Sequence, residues 1–161
     1  MNNKDTPRTI ASQVKAFTPV SLIQTKSFLD TLSAMANKVP AKWRVLVIDD
    51  DPDFRLLLET ALPKDIAVET SSSGEEGLEA ARYGKFDLII MDVMMPGIHG
   101  FHALERLKND NNEIVSRIMV TSNLPPDQVE VQAAEAGAGY LNKDIPIKSL
   151  VAKVQQTLLT H

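Results

Sequence analysis

Short apolar runs that each end in a polar residue constrain this chain more than any other feature. Val45-Leu46-Val47-Ile48 runs into Asp49-Asp50-Asp51. About 40 residues later Phe86-Asp87-Leu88-Ile89-Ile90-Met91 ends in Asp92, with Met95-Pro96-Gly97 and Gly100 behind it. A third run ends in Thr121-Ser122, and a fourth, shorter one ends at Lys143. Runs this short and this continuously apolar suit strands covered on both faces, as in a parallel sheet. In an open parallel α/β sheet the C-terminal strand ends lie side by side and line a crevice. An acidic pair, a lone Asp, a hydroxyl and a Lys therefore converge on one place.

The segments between the runs carry helix signals. Asp51-Pro52 reads as an N-cap followed by proline at the first helical position, with Phe54, Leu57, Leu58 and Ala61 as the apolar stripe and Pro63 as the stop. Ser73-Gly74-Glu75-Glu76 has the form of a capping box, opening a helix with Leu78 and Ala81 inward, and Gly84 stops it. Further helices are expected at 100–109, 126–136 and 146–159, the last with Ile147, Leu150, Val151, Val154 and Leu158 on one side. Strands are expected at 44–48, 66–70, 86–91, 117–121 and 139–142. Five strands alternating with five helices predict a parallel sheet with helices on both faces, joined by right-handed crossovers.

Composition sets outer bounds. At 161 residues the chain suffices for one domain and an additional segment. It has no cysteine, which excludes a disulfide framework and a thiolate site and fits a reducing compartment. No apolar stretch approaches the roughly 20 residues of a membrane span, and no signal-peptide core follows the polar start, so a cytoplasmic location is expected. The net charge of −4 conceals a split. Residues 1–44 carry seven Lys and Arg against two Asp and Glu, whereas residues 45–161 carry ten against nineteen. The acidic part argues against nucleic-acid binding by this chain. The split also marks residues 1–42 as an extension preceding a domain at 43–161. Thr18-Pro19 would start a helix over about 19–37, with Leu22, Phe28, Leu29, Leu32, Met35 and Ala36 on its apolar side. Three readings of the extension stay open: a partly ordered tail, a helix docking on the domain or on a second copy, and a basic interfacial helix on a membrane.

The converging set is that of a metal-assisted phosphoryl site with an aspartate as acceptor. Taken together, the Asp49-Asp50 pair, Asp92 with Met95-Pro96 and Gly100, Thr121, Tyr140 and Lys143 resemble the receiver domain of two-component response regulators, over residues 43–161. The resemblance implies a flavodoxin-like (βα)5 sheet of order 2-1-3-4-5. It implies phosphorylation of Asp92 by a sensor histidine kinase or a phosphotransfer protein. It implies Mg2+ held by Asp50, by Asp49 through water, by Asp92 and by the backbone carbonyl of Met94. Three clustered carboxylates repel one another, and a divalent cation offsets that repulsion. Lys143 would bind the acceptor and a phosphate oxygen, and Thr121 would offer its hydroxyl. Movement of Thr121 would free space for Tyr140, coupling the site to the surface of the fourth helix, fifth strand and fifth helix, where a downstream protein would dock. A homodimer is also compatible with the resemblance. It implies no enzyme, only self-phosphorylation and slow autodephosphorylation.

One departure stands out. The family has Pro after the Lys, in a cis peptide; here Asp144 follows Lys143. A cis bond without proline costs about 3–4 kcal/mol, so a trans peptide is expected. Asp144 also places a carboxylate beside Lys143 that is expected to divert it in part. Elsewhere simpler readings apply. Asp51 is taken as a helix cap and Asp53 as a first-turn acid. His99 and His102 are taken as surface residues, Met91, Met94 and Met95 as packing apart from the Met94 carbonyl, and Trp43 as packing at the first strand. Ser122 is either a spare hydroxyl at the site or a loop residue.

The leading expectation is a receiver that signals through protein contacts. With its last helix at the end of the sequence, its output is expected to be an interface unless the chain is a fragment. One alternative is a pseudo-receiver scaffold acting without phosphorylation. A remote alternative is a phosphatase of the haloacid-dehalogenase type, which would use the D-x-D spacing within Asp49-Asp50-Asp51 but gives no role to the Asp92 segment.

Overall fold

The computed structural model describes residues 40–160. The helix expected over about 19–37 lies outside the described residues. Within them, five strands and five α-helices alternate: β1 (Trp43–Ile48), α1 (Pro52–Ala61), β2 (Ile66–Ser71), α2 (Gly74–Tyr83), β3 (Leu88–Asp92), α3 (Gly100–Asp110), β4 (Ile118–Ser122), α4 (Pro126–Ala136), β5 (Gly139–Asn142) and α5 (Ile147–Thr160). All four strand pairings are parallel, in the order β2-β1-β3-β4-β5. This is the parallel sheet expected from the alternation, in the flavodoxin-like order that the resemblance implies.

Alternation along each strand sorts the core into two layers. Leu46, Ile48, Ile89, Met91, Ile118 and Val120 meet α2, α3 and α4 on one face. Val45, Val47, Leu88, Ile90 and Met119 meet Phe54 and Leu58 of α1 and Leu150, Val154 and Leu158 of α5 on the other. β3 is buried at every position, so its side chains have a dry partner on both sides. Trp43 packs against the α1/α5 layer, with Lys42 Nζ 4.9 Å above its ring.

The helix boundaries have local causes. The Asp51 carboxylate accepts the Asp53 N–H at 2.9 Å and Pro52 opens α1. The Ser73 hydroxyl accepts the Glu76 N–H and starts α2. α4 ends at Gly137, with φ of 87°; the Gly137 N–H donates to the Ala134 carbonyl at 3.0 Å and the Ala138 N–H to Ala133 at 2.9 Å. That left-handed closing residue is where glycine costs least.

Three expectations need correction. Leu57 is exposed, and the inward stripe of α1 runs through Phe54 and Leu58 to Leu62. β3 begins at Leu88 rather than at residue 86, because Asp87 closes the strand entry. Its carboxylate accepts the Arg44 N–H at 2.8 Å and its own N–H donates to the Arg44 carbonyl at 2.8 Å. The strand expected at 117–121 begins at Ile118, because a 3-10 segment, Asn112–Arg117, precedes it; Asn111 caps that segment by accepting the Glu113 N–H at 3.0 Å.

The central strand should dominate stability. Ile90→Ala, at a fully buried position, should cost about 3 kcal/mol by urea denaturation. Leu56→Ala, on the exposed side of α1, should stay within about 0.5 kcal/mol of wild type.

Candidate functional site

The register of the sheet brings the site together. Ile48 pairs with Met91, so Asp49 sits one residue beyond β1 next to Asp92 at the end of β3. Asp92 pairs with Thr121, and Thr121 with Leu141, which places Lys143 two residues beyond on the adjacent strand. The Val93 N–H donates to the Thr121 carbonyl at 2.8 Å and so extends the ladder past Asp92. The next constraint is a close approach. A Cβ built on Gly100 would lie 2.3 Å from the Asp92 carbonyl oxygen and 2.8 Å from Val93 Cα. Only glycine lets the start of α3 reach the end of β3, and the Gly100 N–H uses that proximity to donate to the Val93 carbonyl at 3.0 Å.

Three carboxylates gather at this end. Oxygens of Asp49, Asp50 and Asp92 lie within 4.8 Å of one another, the one group of potential metal ligands of this kind among the described residues. Asp49 and Asp92 are buried and Asp50 is exposed. Lys143 enters between them, its Nζ 2.7 Å from Asp49 Oδ2 and 3.2 Å from Asp92 Oδ2. The contact with Asp49 Oδ2 sets opposite charges at hydrogen-bond distance. Asp49 Oδ1 accepts the Asp51 N–H at 3.0 Å. Burial raises the Asp49 carboxyl above its ordinary value; Lys143 opposes this and the Asp92 charge adds to it.

Several polar atoms here are buried and unpaired. Asp92 Oδ1 and Thr121 Oγ1 have no partner, and neither does the Tyr140 hydroxyl. Burial raises the Tyr140 hydroxyl above its ordinary value, with Glu130 and Asp144 adding negative potential. A buried acceptor without a donor costs free energy unless something fills the space. A cation near Asp92 Oδ1 and an anion accepting from Thr121 are chemically what those atoms lack. A cleft of about 340 Å³ at this rim is lined by Asp50, Asp51, Asp92, Met94, Asn123, Leu124 and Lys143, with Thr121 buried behind it.

Of the residues singled out in the sequence, Asp49, Asp50, Asp92 and Lys143 meet at this end, Met94 lines the cleft and Thr121 pairs with Asp92 in the sheet, whereas Tyr140 pairs with Val120 and packs against the core. Some roles change. Met94 is 53% exposed on the cleft rim rather than packed, while Met91 and Met95 join the core. Ser122 is the buried last residue of β4, and its hydroxyl serves the loop that follows: its Oγ accepts the Leu124 N–H at 3.0 Å. Asp144 does not draw Lys143 away, because the ammonium faces Asp49 and Asp92. The described residues contain no cis peptide, as expected after Lys143. His99 and His102 stand 6.0 Å apart, outside the acidic cluster.

Sequence reading missed three contributors. Arg55 Nη1 donates to the Asp49 carbonyl at 2.6 Å and ties α1 to the acidic turn. Phe54 was legible only as core, yet its ring centroid lies 4.8 Å from Lys143 Nζ. Asn123 lines the cleft, and its position two residues after Thr121 is the signal that the sequence offers for it.

Fold and site define an open α/β protein with an acidic crevice at its strand ends. The model of the response regulator receiver domain family matches residues 45–155, and the chain belongs to that family. It is 34% identical over 126 residues to the nitrate/nitrite response regulator protein NarL of Escherichia coli, covering 76% of this chain and 56% of that one. It is 28% identical to protein PilH of Pseudomonas aeruginosa, covering 71% of this chain and 97% of that one. The chain spans about half the length of most curated relatives it matches first. Among solved structures, the receiver domain of the Francisella response regulator 1452 superposes with a TM-score of 0.67 at 26% identity, covering 74% of this chain and 98% of that one. The Vibrio cholerae chemotaxis protein CheY4 does so with 0.64 at 26%, covering 71% and 98%. Receiver domains of this family are signalling domains of two-component systems.

Two outcomes follow from the geometry. Gly100→Ala should cost roughly 2–3 kcal/mol in denaturation, since its Cβ meets backbone and not a movable side chain. The Asp49 carboxyl binds its proton more tightly folded than unfolded, so its contribution to stability is complete below the ordinary value of 3.8 and is lost as pH rises through the raised one. In chelator, Asp49→Asn should therefore be more stable than wild type at pH 7, with the difference narrowing toward pH 4 in thermal melts.

Proposed function

We propose that this chain is a phosphorylation-dependent signalling switch that accepts a phosphoryl group on Asp92. The observation that carries the reading is Lys143 set between two buried carboxylates, 2.7 Å from Asp49 and 3.2 Å from Asp92, beside unpaired Asp92 Oδ1 and Thr121 Oγ1. Asp92 is the nucleophile. A carboxylate oxygen forms the new bond to phosphorus while the bond to the donor, a phosphohistidine on a sensor kinase or phosphotransfer protein, breaks. No general base is required, because a carboxylate oxygen is itself the nucleophile.

Asp49, Asp50, Asp92 and the Met94 carbonyl would hold Mg2+; oxygen donors of this kind suit it. When bound, it neutralises charge on the transferring group. Lys143 answers the charge that arrives on the phosphoryl oxygens. Thr121 has a free hydroxyl to donate to one of them, and its partner in a switch is Tyr140, whose own hydroxyl is also unpaired. The surface of α4, β5 and α5 would then present the result to a downstream protein or to a second copy. Slow autodephosphorylation, a cytoplasmic location and no nucleic-acid partner for this chain belong to the same reading. No described helix is long and apolar enough to cross a membrane.

The phosphatase reading has a specific observation against it. The second acid of its D-x-D pair, Asp51, is committed to capping α1 through the Asp53 N–H. The scaffold reading is separated by experiment. Incubation with acetyl phosphate and magnesium should add roughly 80 Da to the wild type and nothing to Asp92→Asn. The switch reading also requires that Asp92→Asn change partner binding; unchanged binding would leave a scaffold.

A further inference from the structure

Lys143 keeps two short contacts although it follows the last residue of β5. The ladder that fixes the strand ends with the pairing of Ser122 and Asn142. A lysine has four rotatable side-chain bonds and loses much rotamer freedom when held. Holding its ammonium at 2.7 Å from one carboxylate and 3.2 Å from another requires that its backbone origin be fixed. Two groups outside the acidic cluster do this. The Phe54 ring flanks the ammonium, 4.8 Å from ring centroid to Nζ. At the base, the Asp144 N–H donates to Asn142 Oδ1 at 2.8 Å. That bond closes an Asx turn with Lys143 at its centre. It joins the residues on either side of the lysine and sets the direction in which the side chain leaves the strand. The turn also needs a backbone N–H at residue 144, which Asp144 supplies and a proline would not. The Asn142 amide oxygen is committed to this turn rather than to the cleft.

We infer that Asn142 is a positioning residue for Lys143: its Asx turn with the Asp144 N–H aims the ammonium at Asp49 and Asp92. This rests on the reading of Lys143 as the group that binds the incoming phosphoryl oxygens. Without the turn, residue 143 has lost its nearest backbone restraint and the ammonium spends less time at the site. Magnesium affinity should not fall with it, since Lys143 competes with a cation for the same two carboxylates.

The test compares wild type, Asn142→Ala and Asn142→Ser. Alanine removes the acceptor, whereas serine keeps a hydroxyl able to close the shorter equivalent turn. Amide exchange at Asp144 reports the turn itself and should accelerate in Asn142→Ala. The rate of phosphoryl uptake from acetyl phosphate should fall about tenfold in that variant and recover at least partly in Asn142→Ser. Calorimetric titration should show magnesium binding as tightly as in wild type or more so. A wild-type uptake rate in Asn142→Ala, with its Asp144 amide exchanging freely, would overturn the positioning role and leave the acceptor site standing. Parallel loss of uptake and magnesium affinity, without recovery in serine, would overturn it in favour of a merely structural role. Wild type that binds magnesium but takes up no phosphoryl group would remove the reading of the site and this inference with it.

Discussion

Two buried carboxylates and one exposed carboxylate share a few ångströms of space, and much of the surrounding structure bears on that repulsion. A buried charge is tolerable only when paired and hydrogen-bonded. Lys143 provides the pairing, and the Asp51 N–H satisfies one oxygen of Asp49. One ammonium does not balance three carboxylates, and Asp92 Oδ1 is left without a donor. The site therefore holds an excess of negative charge of the kind that a bound cation would offset. The apolar layers on both sides of the sheet set the scale of that excess, because they keep water away from Asp49.

The fold was legible because its signals agree at every level. Continuous apolar runs marked buried strands, capping residues marked helix starts, and Gly84 and Gly137 marked helix ends. What escaped was local and polar. The delayed start of β3 depends on Asp87 bonding to Arg44, a contact between residues far apart in the chain. The 3-10 segment after α3 is too short to leave a periodic trace. Leu57 lies at the margin of an apolar stripe, where periodicity alone does not decide exposure.

The candidate site was legible for a different reason. Parallel topology sends all strand ends to one rim, so listing the residues that end the runs amounts to listing the site. Residues that act on those residues were not legible in this way. Arg55 and Phe54 reach the cleft from α1, and their roles depend on side-chain direction. Asp144 shows the converse. Sequence adjacency suggested that it competes for Lys143, but the backbone turns so that its N–H meets Asn142 while the lysine faces the crevice.

The order of β5 in the sheet has a consequence for biosynthesis. The acidic pair and Asp92 leave the ribosome well before Lys143, and α5, which covers one layer of the core, emerges last. A nascent chain that has made only β1 to β4 carries the crowded carboxylates without the ammonium and leaves Val45, Val47 and Ile90 partly uncovered. Such a chain has little reason to settle into the native sheet, since domains fold as cooperative units. Assembly of the crevice thereby waits on α5, and a chain cut before that helix would lack the cover on which the folded crevice depends.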